Sequence, residues 1–171
     1  MKLFNGNEVI AKPYRDEDAE EIVKLIHRNF KEVNVRDYGE EAVAELVATH
    51  DVNWFKGLAE YAHVYAFWIG DHIVGVGSIS SFWGSPTESI LLTIFVLPEY
   101  HGQGIGSEII DTLESDALFL RAERIEIPAS ITAVEFYRKK GYEYKNGIKE
   151  LDDEQHYRLE KFRKPGENLR K

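Results

Sequence analysis

No cysteine occurs in the chain, which excludes disulfides, thiolate zinc sites and a cysteine nucleophile. No apolar run approaches the ~20 residues of a membrane-spanning helix. The first residues carry Asn5, Asn7 and Glu8 where a secretory leader needs an apolar core, so a soluble, cytoplasmic protein without membrane contact is expected. Positive charge is in short supply: 21 Lys and Arg face 30 Asp and Glu, a net charge of −9. That balance argues against a nucleic-acid partner. The six histidines show no close pair at ligand spacing, and no metal is expected. Internal repeats and low-complexity segments are also lacking.

The 171 residues, 43% hydrophobic and 30% charged, suit one globular domain that buries roughly 70% of the surface of its unfolded form. The domain is expected over residues 1–162, followed by a polar, basic tail over 163–171. Chemistry is most legible between Ile90 and Leu120. Ile90, Leu91, Leu92, Ile94, Phe95, Val96 and Leu97, broken only by Thr93, read as a strand buried on both faces. Pro98 ends it. The turn His101-Gly102-Gln103-Gly104-Ile105-Gly106 follows, and Ile105, Ile109, Ile110, Leu113, Ala117 and Leu120 share one face of a long helix. A strand, a glycine turn and a helix start together make an anion site, because glycines admit a ligand to the backbone and the first helical N–H groups lack partners.

The spacing separates the machines that use such a turn. A Walker-type phosphate loop needs a lysine after its last glycine, and none follows Gly106. A dinucleotide fold needs Gly-x-Gly-x-x-Gly in an early βαβ unit. Here Gly102, Gly104 and Gly106 are spaced two and two, after a pattern of antiparallel strands.

Those strands read clearly. Val9 to Pro13 is a first strand, and Ala19, Ile22, Val23, Ile26 and Phe30 mark a helix opened by Asp16-Glu17-Asp18. Phe30 to Tyr38 has no steady period, and further helical patterns follow Gly39 and cover Trp54 to Ala59. Thirteen acidic residues against eight basic ones fall in the segment up to Glu60. Val64 to Ile69 and Ile73 to Ser81 form a hairpin about Gly70-Asp71-His72, and the Ile90 strand is the third of this meander. Arg124 to Pro128 is a strand expected to lie parallel to it through a right-handed crossover. Thr132-Ala133-Val134-Glu135 has capping-box spacing ahead of Phe136-Tyr137, and Gly141 is placed as a left-handed cap. Tyr142 to Tyr144 and His156 to Phe162 close the fold around Asn146-Gly147.

Val96-Leu97-Pro98 leading into His101-Gly102-Gln103-Gly104-Ile105-Gly106 resembles the signature of the GNAT superfamily of N-acetyltransferases, Gln/Arg-x-x-Gly-x-Gly/Ala after a strand ending in Val-x-Pro. A second family feature is matched by Ser130, Ala133, Phe136-Tyr137, Gly141 and Tyr142. His101 stands where the family has Arg or Gln, and Ser130 where it often has Asn. The resemblance implies an α+β fold: a central mixed, mostly antiparallel twisted sheet with a splayed parallel strand pair, flanked by helices.

The resemblance also implies acetyl-CoA as cosubstrate. Its pyrophosphate would lie on the amides of Gln103, Gly104, Ile105 and Gly106, with Gly102 shaping the turn, and its pantetheine arm along Phe95 and Val96. The amide of Phe95 or Val96 would meet the thioester oxygen. His101, besides its backbone role, adds charge only when protonated. Tyr137 would protonate the leaving thiolate. Glu88 is the best-placed carboxylate to deprotonate an acceptor ammonium, directly or through water, ahead of His72 and His101. The acceptor is an amine-bearing small molecule, peptide or protein, met by the Phe30 to Tyr61 region and the loops at Phe82-Trp83 and Asn146, with Trp54, Tyr61 and Trp83 as candidate lining. Homodimerisation is plausible from the family. A non-catalytic coenzyme-A-binding module is the competing class.

Overall fold

A computed structural model describes residues 2–4 and 7–165. The chain divides into two compact units, one of Met1–Ser78 with Thr93–Leu113 and one of Ile79–Leu92 with Glu114–Lys171. Two strands, β4 (His72–Ser81) and β5 (Glu88–Val96), run through both.

The first unit begins with β1 (Lys2–Phe4), which the sequence reading missed, and β2 (Asn7–Pro13), paired antiparallel to each other. Helix α1 (Ala19–Asn29) buries Ile22, Val23, Leu25 and Ile26. Each such side chain removed from water contributes roughly 1.5–3 kcal/mol. Directly after α1 the backbone runs as a π-helical turn, Phe30–Asn34, into α2 (Val35–Tyr38). The wider turn rotates the helical face, which is why Phe30 to Tyr38 shows no period in the sequence. Gly39, at φ 85°, separates α2 from α3 (Glu40–Thr49). Helix α4 (Val52–Tyr61) starts at Asp51, whose carboxylate accepts the Trp54 amide at 2.8 Å. Strand β3 (His63–Ile69) pairs antiparallel with β2, from Val9 opposite Ile69 to Pro13 opposite Tyr65, and neighbours β4.

Helix α5 (Ile105–Leu113) lies against β4 at two glycines. A Cβ on Gly77 would stand 2.4 Å from Ile109 Cγ2 and 3.2 Å from Leu113 Cδ1, and one on Gly75 would stand 3.1 Å from Ile109 Cδ1. The alternation of Gly75 and Gly77 on one strand face therefore sets how closely the helix approaches.

In the second unit β5 pairs parallel with β6 (Arg124–Ala129) through three residues only: Glu88 with Arg124, Ser89 with Ile125, Ile90 with Glu126. β6 then pairs antiparallel with β8 (Tyr157–Phe162), whose other edge takes β7 (Glu143–Tyr144). The sheet is thus mixed and mostly antiparallel with one short parallel pair, as expected. The remaining helices are α6 (Ala117–Leu120) and α7 (Val134–Lys139).

Four expectations are corrected. The long helix through Leu120 is two helices, because the Asp116 carboxylate accepts the Leu118 amide at 2.8 Å and opens α6 afresh, leaving Leu120 44% exposed. Such local capping competes with helix continuation. The capping box at Thr132 and Glu135 does not form. A 3₁₀ turn over Ile131–Ala133 makes Ala133 the residue before α7, with no side-chain cap, and Glu135 pairs with Arg138 instead. β5 is buried at Ser89 and Leu91 but half-buried from Leu92 to Val96, since the parallel ladder ends at Ile90. Finally, the stretch expected as a tail opens with a buried residue: Arg163 donates to the carbonyls of Phe119, Leu120 and Ala122 and closes α6. Residues 166–171 of that tail lie outside the described residues.

Gly77→Ala forces Ile109 and α5 away from β4. Urea denaturation should show a loss of about 1–3 kcal/mol, whereas Gly57→Ala, with open space around its position, should lose nothing.

Candidate active site

In the first unit the site is the far end of β5 and the turn after it. Thr93 takes φ 53° in mid-strand, a conformation that costs a β-branched residue on the order of 1–3 kcal/mol. Beyond it the strand is again hydrogen-bonded to β4: the Leu97 amide donates to the Val74 carbonyl at 2.9 Å. The Phe95 carbonyl lies 3.4 Å from where a Cβ on Gly75 would sit. Phe95 and Leu97 therefore turn their main-chain groups toward β4, and alternation directs those of Ile94 and Val96 to the other edge. Of the two amides proposed from sequence to meet a thioester oxygen, that of Val96 is directed to this edge and that of Phe95 to β4.

The Val96 carbonyl is already engaged. It accepts the Asn29 Nδ2–H at 2.8 Å and the His101 Nε2–H at 2.8 Å. A carbonyl offers only acceptor sites, so Nε2 of His101 carries the proton in this contact. Asn29 was missed in the sequence. Its signal was a polar residue three after Ile26, beside Phe30, at the core-facing end of an apolar helix face.

The turn beyond has Gly102 at φ 76° and Gly104 at φ 92°, with open space where a Gly102 side chain would stand. The Gln103 side-chain amide donates to the Glu99 carbonyl at 3.0 Å, and Arg28 pairs with the Glu99 carboxylate at 2.9 Å, which tethers the turn to α1. Left-handed glycines, an exposed backbone and the start of a nine-residue helix at Ile105 fit a diphosphate ligand. His101 faces the strand, its ring on the Val96 carbonyl, and Phe95 packs edge-on against Phe30 with centroids 5.6 Å apart. Phe30 continues into His50 and Trp54, centroids 5.2 and 4.4 Å apart in turn.

In the second unit two tyrosines flank the left-handed cap of α7. Gly141 is at φ 97°, its amide donating to the Arg138 carbonyl at 3.0 Å and that of Tyr142 to the Tyr137 carbonyl at 3.1 Å. This double bond is a Schellman closure, and it fixes Tyr137 and Tyr142 relative to each other. The Tyr142 hydroxyl donates to Glu114 Oε2 at 2.8 Å, and Lys161 Nζ reaches the same oxygen at 2.7 Å. The Tyr137 ring is 6% exposed and its hydroxyl has no hydrogen-bond partner among the described residues. Burial pushes both phenols up from the ordinary tyrosine value, with the Glu114 charge adding to the shift at Tyr142. A phenol so shifted stays protonated and able to donate at neutral pH.

Ser130 is half-buried ahead of the 3₁₀ turn, its carbonyl accepting the Ala133 amide at 3.0 Å. Glu88 opens β5, and its carboxylate pairs with Arg124 at 2.8 Å. Arg124 also pairs with Glu160 at 2.8 Å and closely with Glu126. Glu126, nearly inaccessible, takes Lys145 at 3.0 Å and Arg158 at 3.2 Å besides. Burial alone would raise its carboxyl, but these hydrogen bonds and charges outweigh burial and hold it below the ordinary glutamate range. Trp83, at φ 51°, is 91% exposed on the loop before β5, which Arg121 pins by donating to the Ser85 and Glu88 carbonyls.

The two phenols should separate in a stability assay. Tyr142→Phe strips a hydroxyl from the Glu114–Lys161 pair and should lower the unfolding free energy by about 1–2 kcal/mol, while Tyr137→Phe, which removes an unpartnered hydroxyl, should stay within about 0.5 kcal/mol of the parent.

Comparison with known proteins agrees with the fold. The chain is similar in structure to a GCN5-related N-acetyltransferase from Rhodopseudomonas palustris, 23% identical, over 90% of this chain and 94% of that one with a TM-score of 0.71. It is similar to the PaiA N-acetyltransferase of Thermoplasma acidophilum in complex with coenzyme A, 14% identical, over 91% and 99% with a TM-score of 0.73. A GNAT acetyltransferase from Staphylococcus aureus, 15% identical, aligns over 91% and 99% with a TM-score of 0.66. No match is found among curated proteins. Residues 34–159 match the family of the acetyltransferase (GNAT) domain, and the chain belongs to that family.

Proposed function

We propose that the protein transfers an acetyl group from acetyl-CoA directly to a primary amine. The observation that carries this reading is Tyr137, a buried residue of a chain in an acetyltransferase family whose hydroxyl is uncommitted among the described residues, while its neighbour Tyr142 is committed to Glu114. The glycine turn and the free-edge amide of Val96 supply the backbone donors that a diphosphate and an acyl oxygen need.

Acetyl-CoA, when bound, supplies the acyl group as a thioester. In this reading the amides of Gln103 to Gly106 hold the diphosphate, Ser130 lies beside the arm, and the Val96 amide hydrogen-bonds the acyl oxygen as charge develops on it. The amine lone pair forms the C–N bond, the C–S bond breaks, Tyr137 gives its proton to the sulfur, and the proton that the nitrogen sheds as the amide forms restores the phenol through water. The proton of the original ammonium leaves through water. Glu88 serves as base only by that route, because one of its carboxylate oxygens already holds the Arg124 guanidinium. His72 is exposed beside Asp71. The acceptor is read as an amine on a small molecule, peptide or protein, with His50, Trp54 and the exposed Trp83 and Tyr61 as aromatic surfaces for it. A second copy of the chain is compatible with this reading.

A thiol-release assay with a panel of amines tests it. Tyr137→Phe should lower kcat about 10²-fold with coenzyme A affinity within a factor of two of the parent. Because burial raises the Tyr137 phenol, kcat should not decline on the alkaline side below about pH 10; a decline centred near pH 8 that vanishes in Tyr137→Phe contradicts the assignment. Coenzyme A binding without release for any amine selects the non-catalytic module instead.

A further inference from the structure

The Val96 carbonyl presents an unusual arrangement for a strand edge. Its two acceptor sites are filled by two side chains from the two sides of the sequence, one from α1 and one from the glycine turn. Asn29, the donor from α1, is 4% exposed and also donates from the same Nδ2 to the Leu25 carbonyl at 3.1 Å. It sits at the residue where α1 gives way to the π-helical turn. An amide side chain buried at that depth and shared between its own helix and a strand is expensive unless both bonds form. His101, the second donor, is exposed.

The same peptide is held at its other end. The Val96 C=O and the Leu97 N–H belong to one planar unit, and the Leu97 N–H donates to the Val74 carbonyl at 2.9 Å. With donors on the carbonyl and an acceptor on the amide, the plane between Val96 and Leu97 has no freedom to rotate. The preceding residues need such a hold, since Thr93 at φ 53° interrupts the strand and the parallel ladder with β6 has ended at Ile90.

We infer that Asn29 is a positioning residue for the acyl-transfer strand: by fixing the Val96–Leu97 peptide it aims the Val96 N–H along the edge of β5. It acts through Val96 and touches no reacting atom. A consequence for the cosubstrate is specific. With both acceptor sites of the Val96 carbonyl taken, an amide-bearing arm on this edge is anchored at Val96 through the N–H alone, unless it displaces the exposed imidazole of His101. The buried Asn29 stays. This inference rests on the acetyl-transfer reading for its kinetic part and on the free protein for its structural part.

The test uses Asn29→Leu, similar in size and without a donor, and His101→Ala beside it. In the free protein, amide hydrogen exchange at Leu97 should accelerate about tenfold in Asn29→Leu and less in His101→Ala. In the thiol-release assay Asn29→Leu should lose about tenfold in kcat, with KM for acetyl-CoA changed less than threefold. Asn29→Gln, which keeps the amide donor on a longer stem, should recover part of the loss. Unchanged exchange at Leu97 overturns the clamp. Faster exchange with unchanged kcat overturns the positioning role. Should a global loss of protection accompany the Leu variant, the Gln variant decides: recovery of exchange protection without recovery of kcat also overturns it. An absence of thiol release from the parent protein counts against acetyl transfer, and the Leu97 exchange still decides the clamp.

Discussion

The parallel pairing of β5 with β6 stops after three residues, and the rest of the site depends on that limit. Three positions later Thr93 adopts a left-handed conformation, and from there to Val96 the strand is half-buried instead of enclosed. A strand that has shed one neighbour has an edge whose N–H and C=O groups can serve a ligand. The strain at Thr93 is tolerated because the strand is re-anchored immediately beyond it, through Leu97 to Val74 and through Asn29 and His101 to Val96. The glycine turn then begins from a fixed point, and its own left-handed residues present the backbone beside the first turn of α5.

Most polar groups described in the second unit are engaged in ion pairs and hydrogen bonds. Glu126 is buried among Arg124, Lys145 and Arg158, and Arg124 spans Glu88 and Glu160, tying β5, β6 and β8 together. Phe82 lies under both Arg124 and Lys145, at 5.4 and 5.5 Å. Charges at this depth need such saturation, since an unpaired one is costly. Glu88 belongs to this lattice of pairs, which explains why a carboxylate singled out as a base is engaged in structure. Tyr142 is likewise spent on Glu114 and Lys161. Tyr137, a buried residue, is left with a hydroxyl uncommitted among the described residues.

Most of the sheet was legible because strand alternation and glycine turns are local signals. The meander, the parallel pair joined by a helical crossover and the left-handed Gly141 all follow from spacing. The glycine turn was legible for the same reason. What was hidden is non-local. The short strand β1 has no pattern of its own, and the π-helical turn conceals the continuation of α1 by shifting its face. The split between α5 and α6 turns on one carboxylate, Asp116, choosing an amide two residues ahead. Asn29 and the ion pair of Glu88 depend on partners 67 and 36 residues away, and no window of sequence contains both ends. The half-burial of β5 beyond Ile90 has the same origin, since apolar composition does not reveal where a neighbouring strand ends.

One measurement bears most directly on the proposed coenzyme A platform: titration of the ¹⁵N-labelled protein with coenzyme A, followed amide by amide. The expected map has its largest shifts at Gly102 to Gly106 and at Ile94 and Val96, with the Phe95 and Leu97 amides, turned toward β4, moving less. Saturable shifts that leave the glycine turn untouched, or no shifts at millimolar coenzyme A, contradict it.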